Sequence, residues 1–189
     1  WEDILKEPHP HEGLMFAKAI WHYARGVAFA AQGEGASAEA ELAELTPLKD
    51  NVSVRFLDSR DYPGSMLVSI AIDLLRGEIA HRSGDHDGAV EHFEQAVALQ
   101  DQLPYTEPPF WYYPIRQSLG AALLAGGQAE RAEAVFRKDL ELYPHNGWSM
   151  FGLAQSLEAQ GKDEEAAVVK GHFETAWQFA DVTLQAAIL

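Results

Sequence analysis

The sequence predicts an all-α protein of about four antiparallel helix pairs stacked in a row. Three observations lead there. Alanine and leucine dominate the apolar residues and long β-branched runs are missing, a balance that favours helix over sheet. Apolar residues recur at helical rather than strand spacing, as in Glu91-His92-Phe93-Glu94-Gln95-Ala96-Val97-Ala98-Leu99. One spacing also occurs four times: a small residue, an apolar or small residue three later, a glycine seven after the first, and an alanine five after that glycine.

The four occurrences are Gly26, Phe29, Gly33 and Ala38; Gly77, Ala80, Gly84 and Ala89; Gly120, Leu123, Gly127 and Ala132; and Ala154, Leu157, Gly161 and Ala166. In three of them a large apolar residue follows four further on: Leu42, Phe93 and Phe136. A first helix needs a small residue where a second helix crosses closely. The glycine supplies the left-handed conformation that ends that helix. The alanine opens the second helix where the backbones are nearest, and Phe93 and Phe136 fill the space between neighbours. Such a pair cannot bury its apolar face alone, so pairs must stack.

Taken in order, residues 1–13 form a lead-in in which His9 and His11 flank Pro10. Helices are expected near 14–32 and 36–46, then 65–83 and 87–102, then 113–126 and 129–142, and finally 147–160 and 163–180. Pro114 suits a first helical turn, which tolerates a residue lacking an N–H. Asp163 is placed to cap the last helix, with Glu164 and Glu165 favourable in its first turn. Two connections are longer than a pair needs. Residues 47–64 carry the breakers Pro47, Asp50-Asn51 and Pro63-Gly64. Residues 103–112 combine Pro104, Pro108 and Pro109 with Tyr105, Phe110, Trp111 and Tyr112. So many aromatics are expected to cover the core, the alternative being the rim of a groove.

These residues resemble the tetratricopeptide repeat, a unit of about 34 residues with small, aromatic and alanine positions in this order. The third segment carries the resemblance furthest, from Tyr113 through Leu119-Gly120, Leu123, Gly127, Ala132 and Phe136 to Pro144. The fourth follows directly, with Asn146-Gly147-Trp148 opening its first helix. In the first and second, Asp50 and Asp101 stand where the closing proline belongs. Trp21-His22-Tyr23-Ala24-Arg25-Gly26 and Glu107–Arg116 further resemble the carboxy-terminal part of larger bacterial repeat proteins of unassigned function. The resemblance covers roughly residues 15–180. It implies a right-handed superhelical stack, a tetratricopeptide-like α-solenoid. The chain is accordingly divided as one domain over 1–189, with repeats near 15–48, 65–102, 113–144 and 147–181 and an extension over 182–189.

Charge and composition narrow the function. With 29 acidic against 14 basic residues the formal net charge is −15. That surface repels phosphate backbones and anionic membranes, so neither nucleic acid nor membrane is an expected partner. A neutral or basic protein or peptide is, with simple solubility as the bland alternative. No cysteine is present, which removes thiolate metal sites, disulfides and cysteine nucleophiles. No apolar run approaches the ~20 residues that span a bilayer. The expectation is a soluble protein of cytoplasm or periplasm, the latter only through the exported relatives. The chain begins at Trp1 without an initiator Met, as a processed chain or a piece of a longer one would.

Enzymatic constellations are not apparent. No serine sits in a Gly-x-Ser-x-Gly elbow, and no phosphate-binding loop occurs. His81, His86 and His92 lie close together with Glu78, Asp85 and Asp87, but their spacing matches no established zinc motif. No catalytic residue, metal or cofactor is therefore assigned. What remains is the hollow that the resemblance implies, lined by the first helix of each pair. Counted from the turn glycines, the inward set is Tyr23, Val27 and Ala30; Leu74, Glu78, His81 and Arg82; Gln117 and Ala121; and Trp148, Phe151, Gln155 and Glu158. The expected partner-binding residues are Tyr23, Glu78, His81, Arg82, Gln117, Trp148, Gln155 and Glu158. The Lys, Arg and Asn clamp with which relatives grip a terminal carboxylate is absent, since Tyr23, Val27, Leu74, Glu78 and Gln117 stand there. The second reading is structural. Trp177, Phe179, Val182, Leu184, Ile188 and Leu189 are apolar for a terminal cap, which suggests a homodimer through that end or a place in a longer array.

Overall fold

Glycine decides where each long helix stops. In the computed structural model, which describes residues 1–188, Gly33, Gly84, Gly127 and Gly161 have φ between 71° and 83°. At each one, the next residue's N–H reaches back five residues: Glu34 to the Phe29 carbonyl, Asp85 to Ala80, Gln128 to Leu123 and Lys162 to Leu157, at 2.8–2.9 Å. This closing bond satisfies a carbonyl that the helix end would leave unpaired. The residue three after the first small position is thus the acceptor in all four turns.

All described elements are helical. The chain resolves into two compact units, residues 1–112 and residues 113 onward. The first contains α1 (Glu2–Lys6), α2 (Met15–Ala31), α3 (Gly35–Leu45), a 3-10 turn (Thr46–Asp50), α4 (Val52–Asp58), α5 (Gly64–Ser83) and α6 (His86–Gln100). α2 pairs with α3 and α5 with α6, while α2 and α5 also pack together. Ala19, Ala28, Leu67, Ile70, Leu75 and Phe93 are among its buried side chains. A Cβ on Gly77 would overlap the Phe93 ring, so only glycine lets α6 lie this close to α5. In the first pair the spacing is filled differently. Gly26 faces Leu75 of α5, and Leu42 is only half-buried.

Three local expectations need correction. The lead-in contains α1, and the connection 47–64 contains the 3-10 turn and α4. Asn51, read as a breaker, caps α4 by accepting the Ser53 N–H at 2.9 Å, and Asp58 accepts the N–H of Ser65 at 3.0 Å. Turn-forming residues here start helices rather than dissolve them.

The second unit contains α7 (Arg116–Ala125), α8 (Ala129–Leu142), α9 (Gly147–Ala159) and α10 (Asp163–Trp177), each packed on the next. α7 begins after Pro114 rather than across it, and Lys162, not Asp163, stands at the cap position of α10 without a side-chain cap. Phe136 is fully buried and lies against both Gly120 of α7 and Gly152 of α9, where added Cβ atoms would overlap its ring. Asp139 is also fully buried. Ser149 Oγ and Asn146 Nδ2 donate to its Oδ2 at 2.6 and 2.8 Å, while Asn146 caps α9 through the Trp148 N–H. Burial raises the Asp139 carboxyl, against the hydrogen bonds from Ser149 and Asn146.

Candidate functional site

The residues expected to line the hollow fall into two sets, one in each unit. In the first unit the relevant faces belong to α2 and α5. Tyr23 is 6% exposed. Its ring meets Trp111 edge-on at 5.6 Å, and its hydroxyl lies 3.5 Å from that of Tyr112. Phe110 meets Tyr62 edge-on at 5.4 Å, and Tyr62 in turn meets Phe16 at 5.5 Å. Residues 103–112 therefore run over this face as a strap. The expected covering role fits Trp111, which is 5% exposed, and the half-buried Phe110, but not Tyr112, which is 72% exposed. It does not describe Tyr105, which is 86% exposed and donates to Glu107 beside the cis Glu107–Pro108 bond.

Glu78 is 7% exposed, and its Oε2 lies 3.5 Å from Arg82 Nε. Beyond this ion pair that oxygen has no hydrogen-bond partner. Desolvation raises the Glu78 carboxyl, against the pull of Arg82. The charge of Glu78 is near enough to act on Tyr112, whose phenol is raised first by desolvation of its hydroxyl end, with Tyr23 opposing. His81 follows one turn along α5. Burial, then Arg82 and His86, lower its pKa. The rings of His81 and His86 are 6.0 Å apart. Among the described residues no group of three or more His, Cys, Asp or Glu side chains is arranged to hold a metal ion.

Trp21, His22 and Arg25 have a structural assignment. His22 Nδ1 and Arg25 Nε both approach Glu41 of α3 at 2.7 Å, and the guanidinium lies 4.5 Å from the Trp21 ring centre. They pin the first helix pair together.

In the second unit Gln117 is buried on α7. Trp148 meets Trp177 edge-on at 5.7 Å, and Phe151 meets Phe173 at 5.5 Å. Beyond these rings α9 and α10 leave a cleft of about 280 Å³, walled by Phe151, Gln155, Glu158, Lys170, Phe173 and Glu174. Lys170 pairs with Glu158 across it. Gln155 and Glu158 belong to the expected set. Lys170, Phe173 and Glu174 do not, because they stand on the second helix of the pair, outside the row of first helices. Phe173, about two turns of helix after the buried Ala166, is the signal that points to them. A second cleft, of about 360 Å³, lies in the first unit between the start of α2 and α4, beside Leu14, Phe16, Leu57 and Tyr62. At the carboxy-terminal end Leu184 and Ala187 are buried and Phe179 is 93% exposed; Leu189, part of the apolar end read from sequence, lies outside the described residues.

Comparison with known proteins supplies the family context. A tetratricopeptide repeat profile matches residues 118–169, and a second tetratricopeptide repeat profile matches residues 71–95. No curated protein matches the sequence. Two solved structures are similar in fold. They are a Podosopora anserina protein of nearly identical TPR-like repeats, carrying the name kinesin light chain, and a glutamine-to-methionine variant of it. The variant shares 17% identity at a TM-score of 0.61, covering 93% of this chain and 80% of its own. The other shares 16% at 0.59, covering 96% and 83%. At these identities the likeness speaks for the fold alone. No described helix is long and apolar enough to cross a membrane.

Proposed function

The chain is a tetratricopeptide-repeat protein, and we propose that it is a non-enzymatic scaffold that binds a neutral or basic protein segment through the α9–α10 cleft. Tetratricopeptide repeats mediate protein–protein interaction in general, which sets the class. The observation that carries the finer reading is the cleft itself. It joins an apolar floor, Phe151 and Phe173, to the polar rim of Gln155, Glu158 and Glu174. A floor of this kind takes an apolar or aromatic side chain, and the rim sets orientation. Lys170 offsets Glu158 while Glu174 has no ion-pair partner among the described residues, so the rim favours a cation. The chain's net charge of −15 steers in the same direction.

The reading implies neither metal nor cofactor, and nucleic acid is disfavoured by charge. Photo-crosslinking tests it directly. A photoreactive residue at Gln155 is expected to capture a discrete protein in lysate of the native cell. The same group at Glu130, exposed on α8, is expected to miss that protein. Identical adducts from both positions would refute the cleft as the binding surface.

A further inference from the structure

The inserted helix α4 turns an apolar and cationic face to the outside. Its inner side is held by the buried Val54 and by Leu57, both of which Gly64 at the start of α5 approaches closely. Val52, Arg55 and Phe56, continued by Ser59 and Arg60 in the turn behind, recur at spacings of three and four and are all exposed. Such spacing lines residues up on one side of a helix. Val52 is 79% and Phe56 55% exposed, one helical turn apart. Apolar residues scattered singly on a surface are ordinary, but these stand together and among cations. One position further round α4, Ser53 and Leu57 wall the cleft of about 360 Å³. A plain helix pair has no such wall; the insertion makes it.

The cations are the second observation. In a chain of net charge −15 most lysines and arginines hold a carboxylate, as Arg25 holds Glu41 and Lys162 holds Glu133. Lys49, Arg55 and Arg60 form no ion pair among the described residues, and all fall in or beside the inserted helix. Asp50 and Asp61 flank this segment without pairing to them, and Asp58 is engaged by the N–H and hydroxyl of Ser65. The Arg60 guanidinium lies 5.0 Å from the Phe56 ring centre. A guanidinium steadied by a ring loses less freedom when its N–H fork takes up a carboxylate.

We propose that the outer face of α4 is a docking surface for an acidic protein segment, whose carboxylates meet Arg55 and Arg60 and whose apolar side chain packs on Val52 and Phe56. The net charge of the chain opposes an acidic partner at long range. Physiological salt screens that repulsion beyond about 8 Å, and inside this distance the local cations decide. An anionic membrane or a nucleic-acid duplex spreads its charge widely and meets the rest of the acidic surface as well. The face shares no residue with the α9–α10 cleft, so failure of crosslinking at Gln155 leaves it standing.

The test is selection of peptides from a random display library on the whole chain, with counter-selection on Arg55→Gln/Arg60→Gln. Both side chains are exposed, and circular dichroism verifies that the variant keeps its helices. Peptides that distinguish the two proteins are expected to be acidic and to carry an aliphatic or aromatic residue. Such a peptide, labelled and titrated by fluorescence anisotropy, is expected to lose about 10-fold in affinity on Arg55→Gln/Arg60→Gln and about 5-fold on Phe56→Ser. If no peptide distinguishes the proteins, or those that do are neutral or basic, the proposal fails. Phosphatidylserine vesicles that bind where peptides do not, and are lost in the same variant, make the face a membrane contact and overturn it. A dimer in light scattering that Phe56→Ser dissolves gives the face to a second copy and overturns it too.

Discussion

The two units are built on one hairpin rule and differ in what has been added to it. In the first, residues between the helix pairs became a 3-10 turn, α4 and the aromatic strap, and the strap covers Tyr23. In the second, α7 to α10 follow one another with short turns, and the cleft beside Gln155 and Glu158 stays open. Equivalent positions in a repeat therefore carry no fixed availability. The insertions decide which are reachable.

The packing of the two hairpin phenylalanines gives the largest test of that contrast. Phe93 lies against one glycine, Gly77, whereas Phe136 lies against two, Gly120 and Gly152. Glycines offer no side chain to relax into a void. Removing either ring is expected to cost about 3–5 kcal/mol, with Phe136→Ala at the upper end. Chemical denaturation followed by circular dichroism measures both. A larger loss from Phe93→Ala would reverse the ranking.

A smaller test compares two carboxylates. Glu78 of the first unit is buried with its ordinary ionisation opposed, and its folded pKa is raised. Its burial costs little while protonated, and the cost grows as pH rises above the ordinary carboxylate range. Glu78→Gln is thus expected to stabilise at neutral pH by about 1 kcal/mol, roughly 2–4 °C in Tm, with the gain vanishing on acidification. Thermal melts at about pH 7.5 and about pH 4 read it, on either side of the carboxylate's release of its proton. A destabilised variant at both values would mean that the Arg82 contact outweighs burial.

The smallest effect has the opposite sign. Glu133 of α8 receives Lys162 Nζ at 2.7 Å, Gln160 Nε2 at 2.8 Å and Arg137 Nε at 2.8 Å. The Lys162 hydrogen bond leads the causes that hold its pKa at about 2, with Arg137 and Gln160 adding to it against burial. That stabilisation is present above the ordinary carboxylate range and lost as pH falls through about 2. Glu133→Gln is expected to cost no more than about 1 kcal/mol at neutral pH, because the cluster is near the surface. The cost should fade towards pH 2 in melts extended down to that pH; a gain at neutral pH instead would show that both carboxylates are burdens.

The hairpins are legible in the sequence because their chemistry is local: a glycine that takes φ near 71–83° without strain, an alanine five later and, in two of them, a ring to fill the crossing. α4 is not, because Asn51 reads the same whether it breaks a helix or caps one, and only the tertiary setting decides. The burial of Trp111 follows from the density of aromatics around it, but its seat on Tyr23 joins residues far apart along the chain. The cleft needs both helices of the last pair, and no periodicity within α9 points to Phe173 or Glu174.

The four closing bonds from beyond Gly33, Gly84, Gly127 and Gly161 fix the tip of every hairpin at one length. An extra residue there would break the five-residue reach-back and strand a carbonyl. Between hairpins no such constraint applies, which is where the glycine separations stretch from 34 to 43 and 51 residues. The architecture is permissive at its joints and strict at its bends, so new chain can be grafted on at the former without retuning what lies on either side.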